Sequence, residues 1–327
     1  MARATVIAGP RDWLRKQSRW SVFEIVFWLA ALLPFYFVPT YLTLASQIAI
    51  TALFAVSVDL ILGYAGIITL GHAMFFGLGA YAAGLITKAG WGEPLTGLLF
   101  AAVFAALVGY VTSFIIVRVH HLALIMITLG LGFLTLELAN AMSWLTGGAD
   151  GLQGVDVRPI FGVFEFDLWG YTAYAYTLAA LFLCVVLSRR IVHSSFGLSL
   201  RGIRENLRRM PAIGADHRPH VQTIYTISAG MAGLAGALLT QTTETVSLDT
   251  LSFQRSADVV VMLILGGTGR LYGGIVGAII FMIARDQLSD MNPQYWYFWI
   301  GILLMAIVLL MPSGILGGLD RLIGRRS

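Results

Sequence analysis

The sequence predicts an all-α protein, a polytopic transmembrane helical bundle, and three observations lead there. Hydrophobic residues make up 58% of its 327 residues and charged residues only 12%, with a mean hydropathy of +0.81. A water-facing surface takes about 25% charged residues, so a chain this long lacks the polar residues to coat a soluble core. Its apolar residues fall in blocks of roughly 20, the length that crosses about 30 Å of hydrocarbon. Its basic residues stand at the ends of those blocks. Despite a sequence pI near 9.3, that distribution reads as the positive-inside bias and contact with anionic membrane lipid, not as a nucleic-acid surface.

Residues 1–22 carry Arg3, Arg11, Arg15, Lys16 and Arg19 and form a cytoplasmic N-terminal segment. The apolar block 23–38 is too long for a signal-peptide core, and Pro39 and Tyr41 follow it where a cleavage site would need small residues. It is read as a retained first helix. The further spans are 42–62, 72–87, 95–117, 122–145, 171–187, 221–240, 257–284 and 295–311. Together they make a single transmembrane domain, 23–318, with a cytoplasmic loop at 189–220 and a basic cytoplasmic tail at 319–327. Small-residue faces on the third span (Gly77, Gly79, Gly84) and the seventh (Gly230, Gly233, Gly236) are packing surfaces.

Arg118, the cluster 189–218 and the tail residues Arg321, Arg325 and Arg326 fall on the side of the N-terminus. The segments 88–94, 146–168 and 241–255 then lie outside. Alternation holds through 221–240 and fails at 257–284, because one crossing there would leave the basic tail outside. That block has a glycine-rich centre running from Gly266 to Gly274, and its halves, 257–265 and 275–284, are each too short to span. A re-entrant pair of half-helices restores the parity. Its non-helical turn must be buried in protein, since lipid offers no hydrogen bonds.

A second interruption, Gly63-Tyr64-Ala65-Gly66-Ile67-Ile68-Thr69-Leu70-Gly71-His72, closes the block 42–62. Broken hydrophobic segments in the two halves of a transporter point to its pathway. Gly63, Gly66, Thr69, Gly71, His72, Gly266, Gly267 and Gly269 are therefore the candidate pathway residues. The glycine spacings of the two breaks are loosely alike and suggest an internal repeat.

Nothing points to catalysis. Cys184 is the only cysteine, which excludes an internal disulfide and suits a buried apolar role. His120 and His121 are adjacent and do not share a helix face, so they make a weak metal signal. No HExxH, P-loop or GxSxG motif occurs, and the reading is of a non-enzyme with no metal and no cofactor. Ionisable and polar residues inside spans are costly. For His72 two readings stand level, lining of a path and a helix-to-helix hydrogen bond. For Asp59, and for Glu137 with Asn140 one turn on, the helix-to-helix bond is favoured. An ion-coupled transporter using Asp59 and Glu137 as proton sites is the alternative function.

The basic segment 194–216 places Leu200, Ile203 and Leu207 at i, i+3 and i+7, a narrow apolar stripe on a basic helix. Pro211 biases Met210 away from helix, so a turn is expected there. The residues alone leave two readings open: an interfacial helix on anionic lipid, or a helix offered to a cytosolic partner.

Four stretches then carry a resemblance. They are Gly63-Tyr64-Ala65-Gly66 through Tyr81; Thr146-Gly147-Gly148-Ala149-Asp150-Gly151-Leu152; Phe196-Gly197 through Arg204-Glu205-Asn206 to Gly214, with Ala232-Gly233-Leu234-Ala235-Gly236-Ala237; and Gly266-Gly267-Thr268-Gly269 through Gly277-Ala278. In this order, and across residues 41–318, the chain resembles the M-type permease subunits of the branched-chain amino-acid ABC importers. The resemblance implies a type II ABC importer permease in a bacterial inner membrane that works by alternating access. It also implies a second permease subunit, two cytosolic ATP-binding subunits that carry the ATP, and a periplasmic solute-binding protein. The segment 194–216 would be the coupling helix, with Gly197, Arg204, Glu205, Ala212 and Gly214 at the ATPase contact. The chain departs from the family pattern at Leu207, often an acid, and at Arg209-Met210, often Ala-Ala. The departure leaves branched-chain amino acids, urea, amides and aromatic acids all open as substrates.

Overall fold

The computed structural model describes residues 21–119, 122–162, 164–167, 169–207, 209–214, 216–291, 293–311 and 313–322. The principal helices are α1 (Val22–Ala30), α2 (Leu42–Asp59, prolonged by a π-helical turn, Leu60–Ala65), α3 (Ala73–Lys88) and α4 (Pro94–Ile116). They continue as α5 (Leu122–Ala141), α6 (Tyr171–Val192), α7 (Ser195–Glu205) and α8 (His217–Thr243). The last four are α9 (Phe253–Gly266), α10 (Gly273–Met291), α11 (Trp296–Leu310) and α12 (Gly314–Leu322). Among the described residues five stretches are long and apolar enough to cross a membrane: Pro39–Ala65, Pro94–Ile116, Leu122–Ala141, Tyr171–Val192 and His217–Thr243. No strand is formed among them, only two isolated bridges. The outward faces of α4 and α5 expose Leu99, Val103, Leu107, Met126 and Leu134, a surface suited to lipid and not to water. The chain is a multi-pass helical membrane protein.

Local chemistry sets the helix ends. Ser21 and Glu24 form a capping box at α1, and Pro94 begins α4 where its missing N–H costs nothing. The side chains of Ser194, Asp216 and Ser252 accept the first free amides of α7, α8 and α9. The small-residue faces read from the sequence do lie against each other. A Cβ on Gly79 would sit 2.1 Å from the Gly233 carbonyl, and one on Gly236 1.8 Å from that of Phe76. Helices α3 and α8 thus pack backbone to backbone.

Two ends of the bundle can be told apart. At the basic end, α7 lies against the finish of α2. At the far end, Leu152 and Val246 exchange backbone hydrogen bonds of 2.7 and 3.0 Å, tying the glycine loop that begins at Gly147 to the loop after α8.

The interior has an inverted order. Pro39–Ala65 and α8 are both 27 residues long; the first finishes at the basic end and the second starts there. Each is followed by a non-helical stretch, 66–72 and 244–252 (broken only by the turn Leu248–Leu251), and then by a shorter helix that pairs with its successor. Helices α3 and α4 pack on α8, while α9 and α10 pack on α2. The starts of α3 and α9 meet: the Ala73 amide donates to Ser256 Oγ at 2.9 Å. His72 Nε2 lies 2.9 Å from Ser228 Oγ, and Ser228 donates to the Ser57 carbonyl. Ser57 lies 8 residues before Ala65, so α3 begins about 12 Å inside the basic end of α2. Of the non-helical stretch below it, the deeper residues Thr69, Gly71 and His72 are buried, Thr69 and His72 each 2% exposed, as backbone at that depth requires, while Gly66 and Ile68 nearer the basic end are exposed.

Three sequence expectations need correction. The first span, 23–38, is not one helix. It breaks after Ala30 and resumes as Pro34–Phe37, because Pro34 withholds an amide from the ladder. The halves expected at 257–265 and 275–284 are α9 and α10, 14 and 19 residues long, or about 21 and 28 Å. Packing of Met262, Leu263, Ile275 and Phe281 in the core extends them through Arg255 and Arg285, beyond where hydropathy alone stopped. Their glycine turn consequently sits at the basic end, not part-way into the membrane. The repeat also differs from the one the glycine spacing suggested, since the counterpart of 66–72 is 244–252 and not 266–274.

Candidate translocation and coupling site

Five of the predicted pathway glycines gather at the basic end, and α7 joins them there. The π-helical turn carries Gly63 in its interior, so the break in α2 falls after Ala65, at Gly66, whose φ is 73°. Asp59 Oδ1 accepts from the Gly269 amide at 2.8 Å. Arg204 of α7 donates through Nη1 to the Gly63 carbonyl. Only glycine allows this approach: a Cβ on Gly63 would lie 2.1 Å from Asp59 Oδ1 and 2.4 Å from the Gly269 nitrogen. One on Gly269 would meet Arg204 Nη1 at 2.8 Å. Gly266 and Gly267 complete the turn, with Gly267 at φ 109° and 2.9 Å (from its would-be Cβ) to the Ser313 carbonyl before α12. Arg201 lies over the Tyr64 ring at 5.6 Å. Asp59 is 1% exposed, and its Oδ2 has no hydrogen-bond partner among the described residues.

The apolar stripe of α7 is not free. Leu200 and Ile203 are buried, and Ile203 packs with Val117, Met210 and Val221, with Leu207 against them. The stripe therefore seats α7 on its own bundle. Met210, one of the departures from the family pattern, fills this cluster beside Gly202. It is αR and opens the short helix Pro211–Ile213, against the expectation that Pro211 would hold it extended; the preference is statistical, and burial outweighs it here. Gly197 is buried, its would-be Cβ 2.3 Å from the Val192 carbonyl, so it serves the tight turn from α6. Glu205, Ala212 and Gly214 are exposed, Gly214 at φ 86° with nothing near it. Of the five predicted coupling residues, four are exposed, and one of these, Arg204, also sends its guanidinium inward to Gly63, while Gly197 shapes the fold.

Thr69, Gly71 and His72 do not join the junction. A Cβ on Gly71 would lie 1.8 Å from the Thr128 carbonyl of α5. His72 is ringed by Phe54, Phe75 and Tyr225. Its bond to Ser228 is helix-to-helix, the packing alternative of its two readings. Glu137 and Asn140 are exposed on α5 and make no side-chain hydrogen bond among the described residues, which corrects the interhelical bond expected of them. With Asp59 tied to Gly269 and Glu137 facing outward, the two carboxylates of the ion-coupled alternative share no path. His120 and His121 lie outside the described residues, which hold no group of three potential metal ligands.

The sequence reading missed a charged cavity of about 320 Å³ between α2, α9 and α10, lined by Arg255, Asp258, Arg285 and Asp286 among others. The one available signal was the occurrence of four charged residues within or beside the apolar block 257–284.

A family model for the branched-chain amino acid transport system / permease component matches residues 40–308. The chain belongs to this family. Permease LivM of the high-affinity branched-chain amino acid transport system of Escherichia coli K12 is 25% identical over 95% of this chain and 79% of its own length. LivH of the same organism is 26% identical over 81% and 91%. A probable branched-chain amino acid permease LivM of Methanocaldococcus jannaschii is 24% identical over 80% and 89%. No solved structure matches the chain significantly. Among permeases of this family the glycine stretches quoted above now have a physical basis here: two of them build the junction at Gly63 and Gly269, and a third ties the far-end loops.

Proposed function

We propose that the chain is one of two membrane-spanning subunits of an ATP-driven importer for branched-chain amino acids or a closely related small solute. In this reading it lies in a bacterial inner membrane with its basic end in the cytoplasm. The exposed edge formed by Glu205, Ala212 and Gly214 is the seat of a cytosolic ATP-binding subunit, and a periplasmic binding protein delivers solute at the far end. The observation that carries the reading is the Arg204 hydrogen bond to Gly63. A surface segment is joined by one side chain to both glycine turns that close the bundle at that end. When ATP closes the ATPase pair and displaces α7, Arg204 pulls on Gly63 and presses on Gly269. The contact between the two turns then opens or closes, and the pathway changes sides.

The test is uptake into proteoliposomes by the purified permease, assembled with its neighbouring permease, ATPase and binding-protein subunits. Radiolabelled leucine should accumulate only with ATP and all subunits present. Accumulation driven by a proton gradient, without ATP or partners, would overturn the proposal.

A further inference from the structure

The cavity between α2, α9 and α10 divides by chemistry. One side is apolar, with Ile50, Phe54, Phe76 and Met262; the other carries Arg255 and Asp258 from α9 and Arg285 and Asp286 from α10. Helical rise gives their depth. Asp258 and Arg255 stand about 12 and 16 Å from the glycine turn along α9, and Arg285 and Asp286 about 18 and 20 Å along α10. Phe54 is about 16 Å from Ala65 along α2. Charges and apolar wall therefore share one level, near the middle of a core about 30 Å thick. The volume, about 320 Å³, falls at the small end of the roughly 300–1,000 Å³ range of ligand sites.

Four ionisable side chains at such depth are costly and call for a use. They do not neutralise one another as a closed set. Arg255 Nη2 pairs with Asp249 at 3.0 Å, at the exposed mouth, while its guanidinium lies 5.3 Å from the Phe76 ring centre. Arg285 lies over Trp296 at 5.1 Å and makes no ion pair among the described residues. Asp258 Oδ1 accepts from Gln254 at 2.8 Å and meets no cation within ion-pair distance. Asp286 makes no ion pair or side-chain hydrogen bond among the described residues. Two cations and three carboxylates thus line one space beside an apolar wall, and only Asp249, at the mouth, is ion-paired there, with Arg255. Transporters commonly bind solute at this level, beside the starts of discontinuous helices, and α9 starts here with Arg255 in its first turn.

We propose that this cavity is a solute site of the permease itself, and that its ligand is a zwitterionic α-amino acid with an apolar side chain. Arg255 and Arg285 take the carboxylate, Asp258 and Asp286 the ammonium, and Phe54 and Phe76 the side chain. The proposal rests on the transport reading above and narrows it. Urea, neutral amides and aromatic acids each leave at least one of these charges unpaired, which a site built for both charges rejects.

The experiment uses the complete complex in nanodiscs without binding protein, with Thr51→Cys on the cavity wall as reporter. The unaltered chain, whose Cys184 is buried, gives the labelling background. Leucine and phenylalanine should protect the introduced thiol from a small charged thiol reagent, while 4-methylpentanoate (no ammonium) and isoamylamine (no carboxylate) should not. Asp258→Asn and Arg285→Gln should each raise the leucine concentration needed for half-protection on the order of 30-fold. ATP hydrolysis stimulated by the binding protein should persist in both, which separates this site from the coupling reading. Protection by the single-charge analogues at leucine-like concentrations would overturn the proposal. So would an absence of protection in a complex that still imports leucine, or unchanged half-protection in both variants. Loss of stimulated hydrolysis in the unaltered complex would instead count against the ABC reading.

Discussion

Gly63→Ala is the sharpest perturbation of the junction. The added methyl would lie 2.1 Å from Asp59 Oδ1, 2.4 Å from the Gly269 nitrogen and 2.7 Å from its Cα. Two of those three atoms are backbone, so the turn itself must move. Overpacking of this kind costs about 1–3 kcal/mol. Separating Asp59 from Gly269 removes a hydrogen bond from a carboxyl that is 1% exposed, at about 1–3 kcal/mol more. The helical preference of Ala over Gly returns about 0.5–1 kcal/mol. The net, on the order of 1–5 kcal/mol, is concentrated at the junction and not spread through the bundle. The assay pairs thermal unfolding of the purified complex with ATP-dependent uptake. Gly130→Ala is the control, because a Cβ there has nothing within 4 Å in mid-α5; it should keep full uptake and unfold no earlier than the unaltered complex. Gly63→Ala should unfold earlier and lose most uptake. Control-like behaviour in both measurements would refute the close approach of the two turns and the coupling route built on it.

Three further predictions concern the same route. Arg204→Ala should leave the complex assembled and its ATPase active but cut uptake per ATP hydrolysed; unchanged coupling would show that α7 reaches the turns by another contact. Glu205→Ala and Gly214→Val should weaken ATPase association or coupling, the second also straining a φ of 86° by about 1–2 kcal/mol; normal coupling ratios in both would move the docking edge elsewhere. Gly267→Leu should abolish uptake, since φ 109° and a contact of 2.9 Å to the Ser313 carbonyl admit no side chain. Wild-type uptake in that variant would mean the turn is not held against α12.

What the sequence made legible follows period and composition. Spans such as 95–117, 122–145 and 171–187 came close to α4, α5 and α6 because long apolar blocks report membrane crossing directly. The glycine breaks were legible because few residues other than glycine interrupt such a block without cost. Three things were hidden, each by tertiary context. Hydropathy stopped α9 and α10 at charged residues that packing against α2 carries inside the bundle. The stripe Leu200, Ile203 and Leu207 has the same period whether it meets lipid, a partner or its own bundle, and only Val117 and Val221 decide the matter. The cavity joins Arg255 and Asp258 to Arg285 and Asp286 across a hairpin whose register the sequence does not state.

The two candidate sites sit at opposite ends of one rigid element. Helix α9 starts with Arg255 and Asp258 at the cavity and runs to Gly266, three residues before Gly269 meets Asp59 and Arg204. Its start is also pinned to α3 through Ser256 and Ala73. An α-helix of 14 residues transmits a displacement along its axis, about 21 Å here, because its hydrogen-bonded backbone resists compression. In the proposed reading, a push on α7 would reach Gly269 through Arg204 and arrive at the charged cavity as a shift of Arg255 and Asp258 relative to α2. Of the apolar wall, Ile50 and Phe54 belong to α2 and are held by the core around them. Movement of α9 against α2 would alter the spacing between the charges and the apolar surface of Ile50 and Phe54, and with it the affinity of the proposed site for a small zwitterion. Release of solute and opening of the basic end would then be one motion, driven from one arginine.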